Sequence, residues 1–284
     1  MLVLDTEGLG ALDEDSNHDV RIFSLAILLA SYFLYNSTGS IDENSLSQLS
    51  LVINLTKHIQ IKSGASSQET DPEEYAQYFP SFMWVVRDFS LQLVDADGEP
   101  INSKEYLENG LRSQKGFSES VEQKNRIRRL LTSFFKERDC VTMIRPLTKE
   151  DQLQNLADMD VNELRPEFVH QIETLRRKVI NRIKPKTING RRLNGEMLFN
   201  LAKSYADAIN KGAVPSIESS WSYICKNECQ KALQDAYEVF ERNFSAGFQD
   251  NAPMDDETLK ALYKESKAQG MRLFDKTAVG EIKD

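Results

Sequence analysis

The sequence is poor in cysteine, has no membrane-length hydrophobic run and carries no excess of basic residues. Its 284 residues contain three cysteines, and no N-terminal targeting segment is visible, which is typical of a reducing compartment. The longest apolar run, residues 22–35, is shorter than the ~20 residues that a membrane-spanning helix needs. The net charge of -9 argues against a general nucleic-acid-binding protein, because such proteins normally present a basic surface.

The sequence also lacks the phosphate-binding loop motif G-x-x-x-x-G-K-[ST]. The stretch "INGRRLNGE" contains glycines but no Lys-Ser or Lys-Thr pair. Such a loop cradles nucleotide phosphates with backbone N–H groups and a lysine. Residues 1–284 therefore contain no site of that kind.

What the sequence does contain is an alternation of strand and helix patterns, followed by helices alone. Predicted strands lie at residues 2–5, near "SYFLYN", at 82–86 and at 139–144, with helical patterns between them. This alternation predicts an α/β fold with a mostly parallel sheet. From about Thr148 no strand is predicted, and "KPKTINGRRLNGE" is interpreted as a linker to an all-α region. The predicted helices of that region are residues 163–183, 191–211, 215–243 and 255–275.

Three predicted strands end in residues that could carry chemistry. They are followed by Asp5–Gly8, by Arg87-Asp88 and by Arg145-Pro146. In sheets of this kind, ligands bind at the carboxyl ends of the strands. The shared location is a stronger indication of a site than any one of the three patterns.

The Asp-x-x-Gly pattern at Asp5–Gly8 suits magnesium and phosphate binding. An aspartate at a strand end reaches Mg²⁺ through water, because the ion keeps most of its hydration shell. Gly8 would let the backbone approach, so that its N–H meets a terminal phosphate oxygen. The alternative is that Asp5 and Gly8 simply end a buried strand. His18 is predicted to be a solvated residue in the loop that follows, a reading favoured over an acid–base role.

The Arg87-Asp88 pair after a buried strand suits recognition of a planar base. A carboxylate there can accept two hydrogen bonds from an N–H/NH₂ edge such as that of guanine, and the arginine can stack on the base or pair locally. The alternative is a charged pair that caps the strand.

Taken together with their flanks, these stretches resemble one family. "LVLDTEGLG", "SLAILLASYFLYNSTGSIDENSLSQL" and "FMWVVRDFSLQLVDADGEPINSKEYLENGL" are similar to the guanylate-binding proteins, large GTPases of the dynamin superfamily. "FFKERDCVTMIRP" resembles the guanine-cap region of that family, and "INGRRLNGEMLFNLAKSYADAINKGAVPSIESSW" its passage into the helical domain. The resemblance spans nearly the whole chain. It implies an incomplete, mostly parallel P-loop-GTPase-like sheet flanked by helices and followed by an all-α region.

The resemblance also implies roles for these residues toward GTP or GDP with Mg²⁺. Asp5, holding magnesium through water, and Gly8 belong to the switch-two motif, and Glu7 helps to organise the attacking water. Glu7 and Gly8 are thus the expected catalytic residues. The expected nucleotide-binding residues are Asp5, Gly8, Arg87, Asp88, Arg145 and Pro146, of which Arg87 and Asp88 recognise guanine and Arg145 and Pro146 form the cap loop.

The same resemblance predicts a GTPase domain at residues 1–188 that lacks the phosphate-binding loop and switch one, and a helical region at 189–284. Members dimerise through the GTPase domain and often act on intracellular membranes, so the expected location is cytoplasmic or peripheral on such membranes. The chain is expected to be N-terminally truncated, to bind GTP weakly and to hydrolyse it negligibly. The alternative is a non-enzymatic interaction module, or a degenerate paralogue, that pairs with an intact relative.

Overall fold

A three-stranded parallel sheet and a helical hairpin organise the chain. The computed structural model describes residues 1–7, 16–49, 55, 57–62, 72–116 and 118–280. The elements of the first part are α1 (Ser16–Leu29), β1 (Tyr32–Thr38), α2 (Glu43–Gln48), α3 (Pro72–Tyr75), β2 (Ser81–Arg87), α4 (Ser103–Gly110), α5 (Glu119–Phe134) and β3 (Arg138–Thr142). They are followed by two 3₁₀ turns (Asp151–Asp158 and Val161–Glu163), α6 (Pro166–Arg182), β4 (Thr187–Ile188), β5 (Arg191–Arg192), α7 (Gly195–Asn210), α8 (Ile217–Asn251) and α9 (Asp256–Thr277).

The sheet has the order β1-β2-β3, and both strand pairs are parallel. The central strand β2 carries the continuous apolar run that predicted burial on both faces. Met83, Trp84 and Val86 are each 0% exposed, which confirms that prediction. The predicted α/β class with a mostly parallel sheet and a following helical region is likewise confirmed.

The prediction of a buried strand at residues 2–5 is wrong. Residues 1–7 form no strand, and the side chains of Leu2 and Val3 are 67% and 75% exposed. A strand needs a neighbour for its N–H and C=O groups. Among the described residues, no strand pairs with this segment, so its apolar residues have no sheet to join.

Local capping signals are reproduced in the structure. Asn102 precedes α4 and its side-chain oxygen accepts a hydrogen bond from the Glu105 backbone N–H at 3.0 Å. The Glu105 carboxylate accepts in return from the Asn102 N–H at 2.8 Å. This reciprocal box confirms the helix start predicted at Asn102 and brings α4 in beside the end of β3, where Ser103 Oγ lies 3.0 Å from Thr142 Oγ1.

A buried carboxylate fixes α6 to the sheet. Asp139 on β3 is 2% exposed, and its carboxylate lies 2.5 Å from Arg182 Nη1 and 3.1 Å from Lys178 Nζ. Both cations lie on α6, one turn apart. The paired and hydrogen-bonded geometry is what makes a buried aspartate tolerable.

The segment interpreted as a linker without strands contains a tight hairpin, so that prediction is wrong. β4 and β5 pair antiparallel around Asn189 and Gly190, whose φ angles are 49° and 75°. Positive φ at both turn positions is the geometry that Asn-Gly supplies in two-residue hairpins. Ile188 is 2% exposed, and Lys186 Nζ donates to the carbonyls of Ala30 and Tyr78 at 2.9 Å each. The hairpin is therefore packed against the α/β part rather than spanning solvent.

The two longest helices, α8 and α9, form an antiparallel hairpin in which a glycine permits close approach. Gly270 on α9 is buried, and a Cβ added there would lie 2.7 Å from the Ala236 backbone oxygen on α8. Backbone on one side of such a contact cannot move aside as a flexible side chain can.

Replacing Gly270 by Ala is expected to lower the free energy of unfolding by about 1–3 kcal/mol, as overpacking does. An unstrained helical Gly→Ala change would instead gain up to about 1 kcal/mol, so the sign is diagnostic. Gly195→Ala is the matched control, because no atom lies within 4 Å of its added Cβ. Urea unfolding followed by circular dichroism measures both variants. A Gly270→Ala variant as stable as the wild type would contradict the close contact.

Candidate functional site

Arg87 and Asp88 lie at the carboxyl end of the central strand. β2 ends at Arg87, and Asp88 has a φ of 53°. A positive φ is uncommon outside glycine, is several-fold enriched at aspartate, and clusters at functional positions. The bend is held by neighbouring backbone, because Phe89 N donates to Met143 O at 2.9 Å and Met143 N donates to Val86 O at 2.8 Å. These bonds extend the backbone hydrogen bonding between β2 and β3 past the ends of both strands.

Arg145, three residues after the end of the adjacent strand β3, reaches Asp88. Its Nε lies 3.9 Å from Asp88 Oδ1, and its Nη1 donates to Glu150 Oε1 at 2.6 Å. The side chains of Arg145 and Asp88 are 41% and 37% exposed. Both groups are thus positioned by the protein and still open to a ligand.

Arg87 pairs locally across the sheet. Its Nε donates to Asn36 Oδ1 on β1 at 2.8 Å, and its backbone oxygen accepts from Gly39 N at 2.8 Å. Of the two roles left open for this arginine, stacking on a base or pairing with neighbours, the structure contains the second. The hydrogen bond to Asn36 fixes the direction of the Arg87 guanidinium.

Pro146 lies four residues after the end of β3, in the loop that follows the strand. Its carbonyl accepts from Arg165 N at 2.9 Å, immediately before α6 begins at Pro166. The segment between Arg145 and Arg165 therefore returns to the sheet edge from which it starts. The structure brings Arg87, Asp88, Arg145 and Pro146 to one edge of the sheet.

A second group of residues lies in the N-terminal segment. Asp5 is exposed, and Glu7 Oε1 lies 2.7 Å from His18 Nε2. His18 belongs to the first turn of α1, so the interpretation of His18 as a loop residue is wrong. The contact holds the Glu7 carboxylate against the start of that helix. Gly8, predicted beside them, lies outside the described residues.

The predicted magnesium position offers the exposed carboxylate of Asp5. No group of three or more His, Cys, Asp or Glu side chains that could hold a metal occurs in the part of the chain that the structure describes. Mg²⁺ commonly binds through one or two carboxylates, with water and substrate phosphates completing its shell. The single exposed carboxylate of Asp5 fits an ion held in that way.

Sequence reasoning missed two residues that position this site. Asn36 orients Arg87, and Glu150 holds Arg145. The signal for Asn36 was a polar residue near the end of the aromatic strand "SYFLYN". Glu150 gave no signal, because its partner lies five residues away in a loop without regular periodicity.

None of the helices in the described part of the chain is both long enough and apolar enough to cross a membrane.

Comparison with known proteins identifies the same family over both parts of the chain. The family model for the guanylate-binding protein N-terminal domain matches residues 1–188. The model for the guanylate-binding protein C-terminal domain matches residues 189–284. Together the two models cover the whole sequence.

Individual relatives agree with the family models. The chain is 34% identical to guanylate-binding protein 1 of Chlorocebus aethiops over 288 aligned positions, covering 99% of this chain and 48% of that relative. It is 36% identical to guanylate-binding protein 6 of Homo sapiens over 248 positions, covering 86% and 39%. It is also 36% identical to guanylate-binding protein 7 of Homo sapiens over 239 positions, covering 83% and 37%. The chain spans about half the length of the first of these relatives and less of the other two. The protein belongs to the guanylate-binding protein family.

Proposed function

We propose that the chain forms the guanine-recognition side of a GTPase site, at the carboxyl edge of its sheet. The observation that carries this proposal is the placement of Asp88. Asp88 follows the central strand in a left-handed backbone conformation, and its carboxylate is 37% exposed and lies 3.9 Å from Arg145 Nε. Two carboxylate oxygens can accept from the N1–H and the 2-amino group of guanine. Adenine has no such pair of donors, so this arrangement favours guanine.

The two arginines support the same role. Arg145 is 3.9 Å from Asp88 and can place its planar guanidinium against the base or its ribose side. Pro146, the next residue, adds an apolar surface without an N–H of its own. Arg87 is held at the end of the central strand, where its Nε donates to Asn36 Oδ1 at 2.8 Å.

On the phosphate side, Asp5 is proposed to hold Mg²⁺ through water, and Glu7 to orient the water that attacks the terminal phosphate. Magnesium, when bound, neutralises charge on the phosphates. His18 contacts Glu7 at 2.7 Å and so restricts where that carboxylate can point. Gly8 keeps its proposed role as a backbone donor to a phosphate oxygen. Dimerisation through the GTPase domain, a cytoplasmic location and attachment to intracellular membranes are part of the same family-based proposal.

A titration with fluorescent GDP and ADP tests base recognition. The expected result is binding of the guanine nucleotide at least tenfold tighter than the adenine nucleotide, which corresponds to about 1.4 kcal/mol. Equal affinity for both would reject the proposed role of Asp88.

Turnover is expected to be far slower in a polypeptide of residues 1–284 than in a longer family member that carries G-x-x-x-x-G-K-[ST]. These residues contain no such motif, and a single well-placed transition-state donor contributes about 3 kcal/mol. Phosphate release under GTP saturation measures the rate. A rate equal to that of the longer protein would contradict this expectation.

The absence of that motif from the 284 residues also supports a second candidate function, a non-enzymatic module that pairs with an intact relative. A pull-down of a guanylate-binding protein without added nucleotide tests this. The expected result is co-elution in both nucleotide-free and GDP-containing buffer. A monomer that retains no relative would rule the candidate out.

A further inference from the structure

A cleft on the opposite edge of the sheet contains a half-buried lysine that pairs with no carboxylate among the described residues. The cleft has a volume of about 430 Å³ and opens where the strands begin rather than where they end. Ser31 precedes β1, Ser81 begins β2 and Glu137 precedes β3, and all three line it. Since a strand rises about 3.3 Å per residue, the seven-residue β2 separates this cleft from Asp88 by roughly 20 Å.

Lys186 is the half-buried cation of this cleft. Its ammonium donates to the backbone oxygens of Ala30 and Tyr78 at 2.9 Å each. Ala30 follows the C-terminal end of α1, where the helix dipole favours a positive charge. An ammonium has three N–H donors, and within the described residues the third has no acceptor. Burial lowers the pKa of Lys186 from 10.5 to about 8, so the charge is held at a cost that an anion would reduce.

The remaining charged groups of the cleft are mostly positive. Lys184 and Lys136 already pair with Glu137 and Glu73, each at 3.0 Å. The Arg192 guanidinium has no ion-pair partner among the described residues, and it lies on the exposed strand β5 at the rim. Glu137 is the one carboxylate among the lining residues, and its pairing with Lys184 reduces its repulsion toward an anion.

We propose that this cleft binds the phosphate group of a small molecule, with the Lys186 ammonium at its base and the Arg192 guanidinium at its rim. A phosphate supplies several acceptor oxygens for the free N–H of Lys186 and for the guanidinium fork of Arg192. The volume exceeds what an isolated phosphate needs, so a phosphate monoester with an organic group fits better than the free ion. The position of the cleft separates it from the proposed nucleotide site.

Isothermal titration calorimetry of the 284-residue chain with inorganic phosphate and with glycerol 3-phosphate tests the proposal. Ionic strength is matched with chloride, because screening alone changes exposed charges. The expected result is saturable binding of the monoester, tighter than that of inorganic phosphate. If only inorganic phosphate bound, or neither probe did, the proposal would be overturned.

Three variants assign the binding to the cleft. Lys186→Met is expected to weaken monoester binding by about tenfold or more, the order of one charge-assisted hydrogen bond. Arg192→Gln is expected to weaken it several-fold, and because Arg192 is exposed this variant keeps its fold. Lys203→Met removes an exposed lysine of α7 outside the cleft and is expected to leave binding unchanged. A folded Arg192→Gln protein with wild-type affinity would overturn the proposal even if Lys186→Met failed to fold.

Discussion

Asp88→Asn is expected to reverse base selectivity from guanine to xanthine. An asparagine side chain has one acceptor and one donor, so its NH₂ would face the 2-amino group of guanine, donor against donor. Xanthine has a carbonyl at that position and can accept from the same NH₂. Leaving polar groups unpaired costs about 1–3 kcal/mol each, so the affinity for GDP should fall roughly thirtyfold or more.

The backbone conformation at this position can accommodate Asp88→Asn without strain. Asn adopts positive φ as readily as Asp, so the 53° angle should persist. Competition binding with GDP and xanthosine diphosphate measures the change in preference. Asp97→Asn is the matched control, because Asp97 is an exposed acid in the loop after Asp88 and loses the same charge. A variant that still preferred GDP would show that the Asp88 side chain does not recognise the base.

Glu43→Ala is expected to lower the free energy of unfolding by about 3–5 kcal/mol. Glu43 begins α2, and its carboxylate pairs with Arg128 of α5, which is only 2% exposed. Without Glu43, the partners that the Arg128 guanidinium keeps among the described residues are neutral, the Gly110 carbonyl at 3.1 Å and the Asn125 side-chain oxygen at 3.4 Å. A buried charge that loses its counter-charge lowers the free energy of unfolding far more than an exposed charge does.

A neighbouring pair on the same helix gives the control. Glu122 and Arg129 lie 2.5 Å apart on α5, but they are 66% and 54% exposed. Glu122→Ala should therefore cost less than about 1 kcal/mol. Guanidinium chloride unfolding of both variants measures the contrast. Equal, small effects would show that the Glu43–Arg128 pair contributes no more than a surface pair.

The Glu43 effect should also depend on pH. Burial works to raise the pKa of Glu43, but the hydrogen bonds from Arg128 and Lys124 outweigh it and leave the pKa below its ordinary value of 4.5. A carboxyl whose pKa is lowered on folding stabilises the protein above its unfolded pKa and loses that contribution as pH falls through the folded one. The stability difference between the wild type and Glu43→Gln should therefore shrink on acidification below about pH 4. A difference that stayed constant from pH 7 to pH 3 would contradict the charge pairing.

Local sequence patterns predicted most of the strands and helices of this fold, but not all of them. The apolar run at 82–86 identified the central strand, and the Asn102–Glu105 pair identified a helix start, because both depend on residues close in sequence. Residues 2–5 have an equally apolar pattern and form no strand, because a strand also needs a partner that its own sequence does not specify. The β4–β5 hairpin was missed because two-residue strands are too short for any periodicity to show.

The sequence by itself determined that this chain is an α/β protein followed by helices, with polar residues at its strand ends and the motifs of the guanylate-binding proteins. Only the tertiary structure decided which of those residues meet. Parallel pairing of β2 with β3 places Arg145 beside Asp88, 57 positions earlier in the chain, and pairing of β1 with β2 brings Asn36 to Arg87. It also decided that Lys186, one of many lysines in the sequence, holds its ammonium against the backbone oxygens of Ala30 and Tyr78. Such contacts follow from strand order and helix packing, which depend on the whole core rather than on neighbouring residues.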